Sequence, residues 1–548
     1  MVATSERAGT REWLGLTVLV LPVLLISVDV SVLFIALPSI SADLQPSSSQ
    51  LLWFADIYAF VLAGLLVTMG SVGDRIGRRK LLMLGALGFG AASVLVAYSS
   101  SPAMLIAARA IQGFAGATLM PSTLSLIRNM FHDRQQRARA IGIWTTATSA
   151  GMVLGPVVGG ILLEHFWWGS VFLINVPVMV ALLLLAPSLV PEYRHPRASR
   201  FDLLSSAMWL AAVLPVVYGI KRIAEESAVD ATATACIAAG LLLAYLFVRR
   251  QRALTDPMFD VTLFRQRGFA TAISTNTLVF FGMSGLTLFT VQYLQLVLGM
   301  SPLRAGLWSL IGAVGAAIGA TVGPTLLNQY RHAHILGLGL VIAAGGFTVM
   351  TQVGLDSLAL LLTANAIAAV GIGMVVALVT DIAVASAPPE RAGATSAMAE
   401  TSTEFGGALG IAALGSIGNL VYGRAIEEDL PPGLPAEAAE PISHTLATAV
   451  EVAASLPGDV STAVLEAARS AFTEGLHVLA IFSACVMLLL AVLAFSMLRH
   501  VTVVAAPSDP HDVDDPDDGT EGAGADAAAG SGAAVPGQSA PTEKTGKE

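Results

Sequence analysis

What most constrains this chain is a series of apolar segments, each about 20 residues long, that recurs from Trp13 to Leu498 with few charges inside. Hydrocarbon gives backbone N–H and C=O groups no partner. Such a segment therefore crosses a bilayer only as a helix or within a closed barrel, and a helix needs roughly 20 residues to do so. Fourteen candidate spans are legible: 13–37, 51–70, 81–98, 103–126, 139–163, 169–189, 203–222, 231–249, 268–298, 304–326, 334–353, 357–386, 391–421 and 472–498. Only 12% of the residues are charged, against about 25% in a soluble domain. The fold class expected is an all-α polytopic membrane protein.

Charge between the spans is lopsided. The loop after span 2 holds Arg75, Arg78, Arg79 and Lys80, and the loop after span 4 holds Arg128, Arg137 and Arg139; Lys221, Arg222, Arg304, Arg424 and Arg469 fall on the other side. Positive charge stays cytoplasmic, so both termini are expected there, in a multi-pass plasma-membrane protein. Residues 1–12 form a short cytoplasmic start. Residues 422–471 are the only long outward loop, read as a small helical cap. The net charge of −10 is concentrated in 499–548, an Asp, Gly, Ala and Pro sequence expected to be a disordered acidic tail. Cys236 and Cys485 both lie in apolar runs, so neither a disulfide framework nor a metal site is expected.

The chemistry sits in the charges that remain inside the spans. Asp29 and Asp56 lie in the first two, and an aspartate at membrane depth costs about 2.5 to 3.5 kcal/mol on insertion scales, which marks a functional site. By helical rise Asp29 is ~12 Å, Asp56 ~8 Å and Arg109 ~9 Å from the outer ends of their spans, so the three could share one layer. Glu400 and Glu404 are four residues apart on span 13, hence on one helix face. Like charges this close in low dielectric do not both ionise readily, so the pair is expected to hold a proton. These five residues are the candidates for proton coupling and cation binding. Ring faces over a desolvated cation contribute about 2 kcal/mol each, which makes Trp53, Tyr58, Trp144, Phe281, Phe289 and Tyr293 candidates for a substrate cavity.

Two glycine-rich stretches complete the pattern. In Gly70-Ser71-Val72-Gly73-Asp74-Arg75-Ile76-Gly77-Arg78-Arg79-Lys80, glycines allow a tight reversal and the ions can latch parts of the molecule together, a gating loop. On span 5, Gly151, Gly155 and Gly159 at four-residue spacing permit close helix contact, and Pro156 bends the helix, a candidate hinge. There is no phosphate-cradling glycine loop with a following Lys-Ser or Lys-Thr, no His-Glu-x-x-His and no Gly-x-Ser-x-Gly. ATP drive and intramembrane hydrolysis are therefore unsupported, and the chain reads as a transporter, not an enzyme.

The Gly70–Lys80 loop resembles the signature between helices 2 and 3 of the major facilitator superfamily. Arg109-Ala110-Ile111-Gln112-Gly113 is similar to its helix-4 motif, and Gly151 to Gly160 resembles its helix-5 antiporter motif. Asp29-Val30-Ser31-Val32 through Ala36-Leu37-Pro38 resembles the helix-1 motif of the fourteen-helix drug:proton antiporters. The resemblance implies two six-helix bundles, 13–189 and 268–498, with two inserted helices at 203–249. It implies proton-coupled efflux of lipophilic cations by alternating access, with no cofactor beyond the proton gradient, and Glu404 matches a helix-13 glutamate that binds cations or protons. Phe34 resembles the subgroup exporting quaternary ammonium compounds and dyes such as ethidium. The partners implied are small cationic substrates, protons and lipid, with no nucleic acid, for a monomer. Two rivals remain at this point: a same-fold exporter of a neutral or anionic antibiotic or metabolite, and a non-transporting membrane receptor.

Overall fold

A computed structural model describes residues 8–194, 202–226, 230–254, 257, 261–327, 329–385, 392–430, 434 and 441–498. The acidic tail lies outside the described residues. Among them there is no strand, and fourteen helices are long and apolar enough to cross a membrane. The first six are α1 (Thr10–Leu44), α2 (Ser48–Ile76), α3 (Arg78–Ala97), α4 (Pro102–Met130), α5 (Arg134–His165) and α6 (Ser170–Leu189). Two more follow, α7 (Leu203–Glu226) and α8 (Ala231–Ala253). The second half consists of α9 (Arg267–Gln292), α10 (Pro302–Leu326), α11 (His332–Met350), α12 (Leu358–Ala385) and α13 (Ala392–Asp429). A short α14 (Leu446–Ala454) and the long α15 (Gly458–Leu498) complete it.

Helix starts are written in short-range chemistry. The Ser47 hydroxyl accepts from the Gln50 amide to open α2, Ser101 precedes Pro102 at α4, Asp133 caps α5, and Ser301 precedes Pro302 at α10. An oxygen at the cap takes an orphan N–H, and proline at the first turn gives up a donor that had no partner. The outward segment 422–471, read as a small helical cap, is largely helical among the described residues. α13 runs on to Asp429, α15 already starts at Gly458, and α14 lies between them. Tyr422 ties this cap down by donating to the Ile442 carbonyl at 2.8 Å.

The helices form two bundles, α1–α6 and α9–α13 with α15, which meet along α2 against α13 and α5 against α10. The inserted α7 packs on both α2 and α13, and α8 packs on α7. Packing differs between the two ends. Toward the cap, one apolar cluster runs from Ile35, Leu37, Val96, Leu105 and Trp168 of the first bundle into Leu294, Phe347 and Phe472 of the second. There Gln295 also donates to the Ile35 carbonyl at 3.1 Å. Toward the basic loops the corresponding cluster, with Leu19, Leu82, Leu126 and Met179, belongs to the first bundle alone. Among the described residues, the halves therefore share a core at the cap face and not at the basic face.

Candidate functional site

The first bundle buries an ion pair in its centre. Asp29 on α1 meets Arg109 on α4 at 2.6 Å, and each residue is 1% exposed. Gln112 and Asn175 donate to the same Asp29 oxygen at 2.9 and 2.8 Å, and both also donate to the Ser93 hydroxyl. Arg109 donates further to Gln112 and to the Phe54 carbonyl, and its guanidinium lies 4.3 Å from the centre of the Tyr58 ring. A carboxylate in hydrocarbon survives when its charge and lone pairs are satisfied together. α4 and α6 supply this satisfaction, with Ser93 of α3 bonded to both amides, which fixes α1, α4 and α6 around one point.

Asp56 is not part of that cluster, although Phe54 and Tyr58, on either side of it along α2, both contact Arg109. It forms a second buried pair, 2.7 Å from the ammonium of Lys221 on α7, with both side chains fully enclosed. The Trp53 ring covers that ammonium at 4.1 Å. Reading Lys221 as a loop charge on the outward side is therefore corrected: it lies inside α7 and neutralises Asp56. Its position at the end of the apolar run 203–222 disguised it, since a charge there looks like a flanking anchor, but the helix continues five residues further, to Glu226.

The acids on α13 are different. Glu400 and Glu404 are half-buried, and among the described residues neither makes a hydrogen bond or an ion pair. They interact with each other electrostatically. The intervening Ser402 and Thr403 accept from Asn276 of α9, at 2.8 and 2.7 Å, which orients this part of α13. Tyr58 sits within electrostatic reach of Glu404, Asp29 and Arg109 together, and its buried hydroxyl has no hydrogen-bond partner among the described residues. Tyr58 thus stands between the ion pair of one bundle and the lone glutamate of the other.

The remaining candidates divide. Trp53 and Tyr58 touch the two buried cations. Trp144 is half-buried on α5 and donates to the Thr123 hydroxyl at 3.1 Å. Phe281 packs against Phe482, Phe289 stacks on Phe472 at 4.7 Å, and Tyr293 donates to the Gly354 carbonyl. These three lie in packing within the second bundle. The expected gating loop is helical save for Gly77: Asp74 near the end of α2 pairs with Arg78 of α3 at 2.6 Å, and Gly73 lies under the Arg78 side chain, near Gly70. Arg78 also reaches the Pro121 carbonyl, Arg79 reaches the carbonyls of Pro187 and Val190, and Arg75 is exposed. Among the described residues, these bonds of Arg78 and Arg79 stay within the first bundle. On α5, Gly151, Gly155 and Gly159 face Leu24, Ser31 and Val32 of α1, while Pro156 faces Gly306 of α10. The predicted hinge is thus the seam at which α5 touches both α1 and the second bundle.

Sequence reasoning passed over Gln112, Asn175, Ser93 and Lys221. The signal was available for the amides, which are costly in apolar helices unless paired, and Gln112 stands within the stretch that resembles the helix-4 motif.

The family model for the Major Facilitator Superfamily matches residues 19–411. The multidrug efflux pump LfrA of Mycolicibacterium smegmatis is 42% identical, over 88% of this chain and 96% of its own. The methyl viologen resistance protein SmvA of Salmonella typhimurium is 35% identical, over 88% and 97%. The tetracenomycin C resistance and export protein of Streptomyces glaucescens is 30% identical, over 92% and 93%. A solved bacterial homologue of the human lysosomal transporter Spinster, inward-facing and occupied, superposes with a TM-score of 0.62 at 18% identity. It covers 91% of this chain and 100% of its own, a likeness of fold.

Proposed function

Because the chain belongs to the major facilitator superfamily, alongside multidrug efflux and resistance transporters, we propose that it is a proton-coupled antiporter exporting lipophilic cations. The observation that carries the reading is the pair Glu400 and Glu404, the central acids that lack a basic partner among the described residues. Asp29 and Asp56 are each neutralised from within the protein, so a cationic guest finds its counter-charge on α13. A proton and a cation compete for these carboxylates, and that competition is antiport in its simplest form. That the described residues share no core at the basic face supports loading from that side, with release after the bundles rock along α2–α13 and α5–α10. The positive-inside rule makes the basic face cytoplasmic.

Resistance to methyl viologen, a dication, gives SmvA its name, which favours cations as the cargo here. Export of an anion would use Arg109, but that guanidinium is already engaged by Asp29, Gln112 and the Phe54 carbonyl. In inverted vesicles driven by a pH gradient, efflux of an ethidium-type dye should fall at least about tenfold in Glu404→Gln, the loss of a charge-assisted contact. A parent-like rate in that variant defeats the proposal.

A further inference from the structure

At the cap face a cavity of about 210 Å³ descends between the start of α2, the end of α7 and α13. Ser49, Asn419, Arg424, Glu427 and His444 line it, and it reaches down to Lys221. Ser416, 3% exposed, lines it with a hydroxyl that has no partner among the described residues, and the same holds for the Asn419 amide nitrogen. Since a water occupies about 30 Å³ of liquid, the space takes several, and the orphaned polar atoms are the kind that hold them. Beneath Lys221 is Asp56, whose Oδ1 also lacks a hydrogen-bond donor among the described residues.

We propose that this cavity is the water path by which protons reach Asp56 from the cap face, and that Lys221 of the inserted α7 is the positioning residue of that step. The inference rests on the antiport reading above. A proton arriving by water adds to the Asp56 carboxylate. The ammonium stays charged, its attraction to Asp56 is lost, and it turns toward the cavity that it lines together with Glu427 of α13. The titratable groups that face this point are Lys221 from α7, Asp56 from α2, Arg424 and Glu427 from α13, and His444 from the cap segment. Breaking the pair frees α7 from α2 beside the line where the two bundles meet. The inserted helices thereby take part in coupling, while Glu400 and Glu404 take the cargo.

The test reconstitutes the full chain in liposomes and measures two modes with one dye: transport driven by a pH gradient, and dye-for-dye exchange at equal pH, which moves no proton. In the double variant Asp56→Asn/Lys221→Met both charges leave together, which a fold tolerates better than the loss of one. Exchange is expected to stay within about threefold of the parent while gradient-driven transport falls at least about tenfold, the split that separates coupling from binding. Ser49→Cys, in a background lacking Cys236 and Cys485, should show the same split once a bulky impermeant thiol reagent is added at the cap face. Gradient-driven transport at the parent rate in the double variant overturns the inference, as does loss of both modes in step. Failure of the antiport reading has its own signature, a parent protein that exchanges dye but ignores the gradient, and it overturns both.

Discussion

Gly77 carries the turn between α2 and α3 at a φ of +112°, a conformation L side chains rarely adopt. The Glu192 carboxylate occupies the space a Cβ would need, and it accepts the backbone N–H groups of Arg79 and Lys80 at 3.0 and 3.2 Å. Gly77→Ala should therefore lower thermal stability by about 1–2 kcal/mol from the backbone alone, read as a drop in melting temperature in detergent; an unchanged melting temperature would contradict this account of the turn. Asp29→Ala has a different cause. It leaves Arg109 charged and buried, a loss of about 3–5 kcal/mol, and should reduce the yield of folded protein before any transport assay is reached. If Asp29→Ala folds as well as the parent, the pair does not hold α1 to α4. The acids themselves were legible in the sequence because hydrocarbon makes a carboxylate conspicuous. Their partners were not, since Lys221 is 165 positions from Asp56 and only the order of helices in space brings them together.

Among the elements, the inserted pair α7–α8 has its own fastening. Burial pushes the Asp202 carboxyl up, but hydrogen bonds from Ser205 and Arg250 outweigh it and hold it below its ordinary value of 3.8. Arg250, at the end of α8, grips both Asp202 oxygens at 2.9 Å. At the other end, the Ala233 amide and Arg222 hold Asp230 below the same value. A carboxylate whose value is depressed on folding adds stability above its ordinary range, and that stability is lost as the pH falls through it. The α7–α8 hairpin should thus be tied at neutral pH and loosen below about pH 4. Thermal unfolding of Asp202→Asn should show a deficit at pH 7 that closes toward pH 3; a deficit independent of pH points to packing instead. The spans were readable because apolar length is a local property, and caps such as Ser101-Pro102 made starts readable too. The ends were less so: α13 and α15 continue past the hydrocarbon into the cap, where polar residues such as Glu427 and Glu466 do not stop a helix that tertiary contacts support.

For the whole molecule, the arrangement is two bundles that share an apolar core at one face, with paired charges deep in the first and unpaired acids on α13 of the second. The two-bundle plan was visible only through the resemblance of its motifs; apolar periodicity counts helices without saying how they group. With one proton for each monovalent cation no net charge crosses, whereas with two the membrane potential adds about 2.3 kcal/mol per 100 mV. Asp56 and the α13 pair together provide for the second case, so an inside-negative potential at fixed pH gradient should speed export of a monovalent dye. Equal rates with and without the potential would rule it out. The central claim, that proton and cation exchange on α13, is tested most directly without a membrane. A lipophilic cation is added to purified protein in weakly buffered detergent, and bound cation and released protons are counted together. Stoichiometric proton release is predicted for the parent and none for Glu400→Gln/Glu404→Gln; a cation that binds the parent tightly and releases no proton contradicts the account.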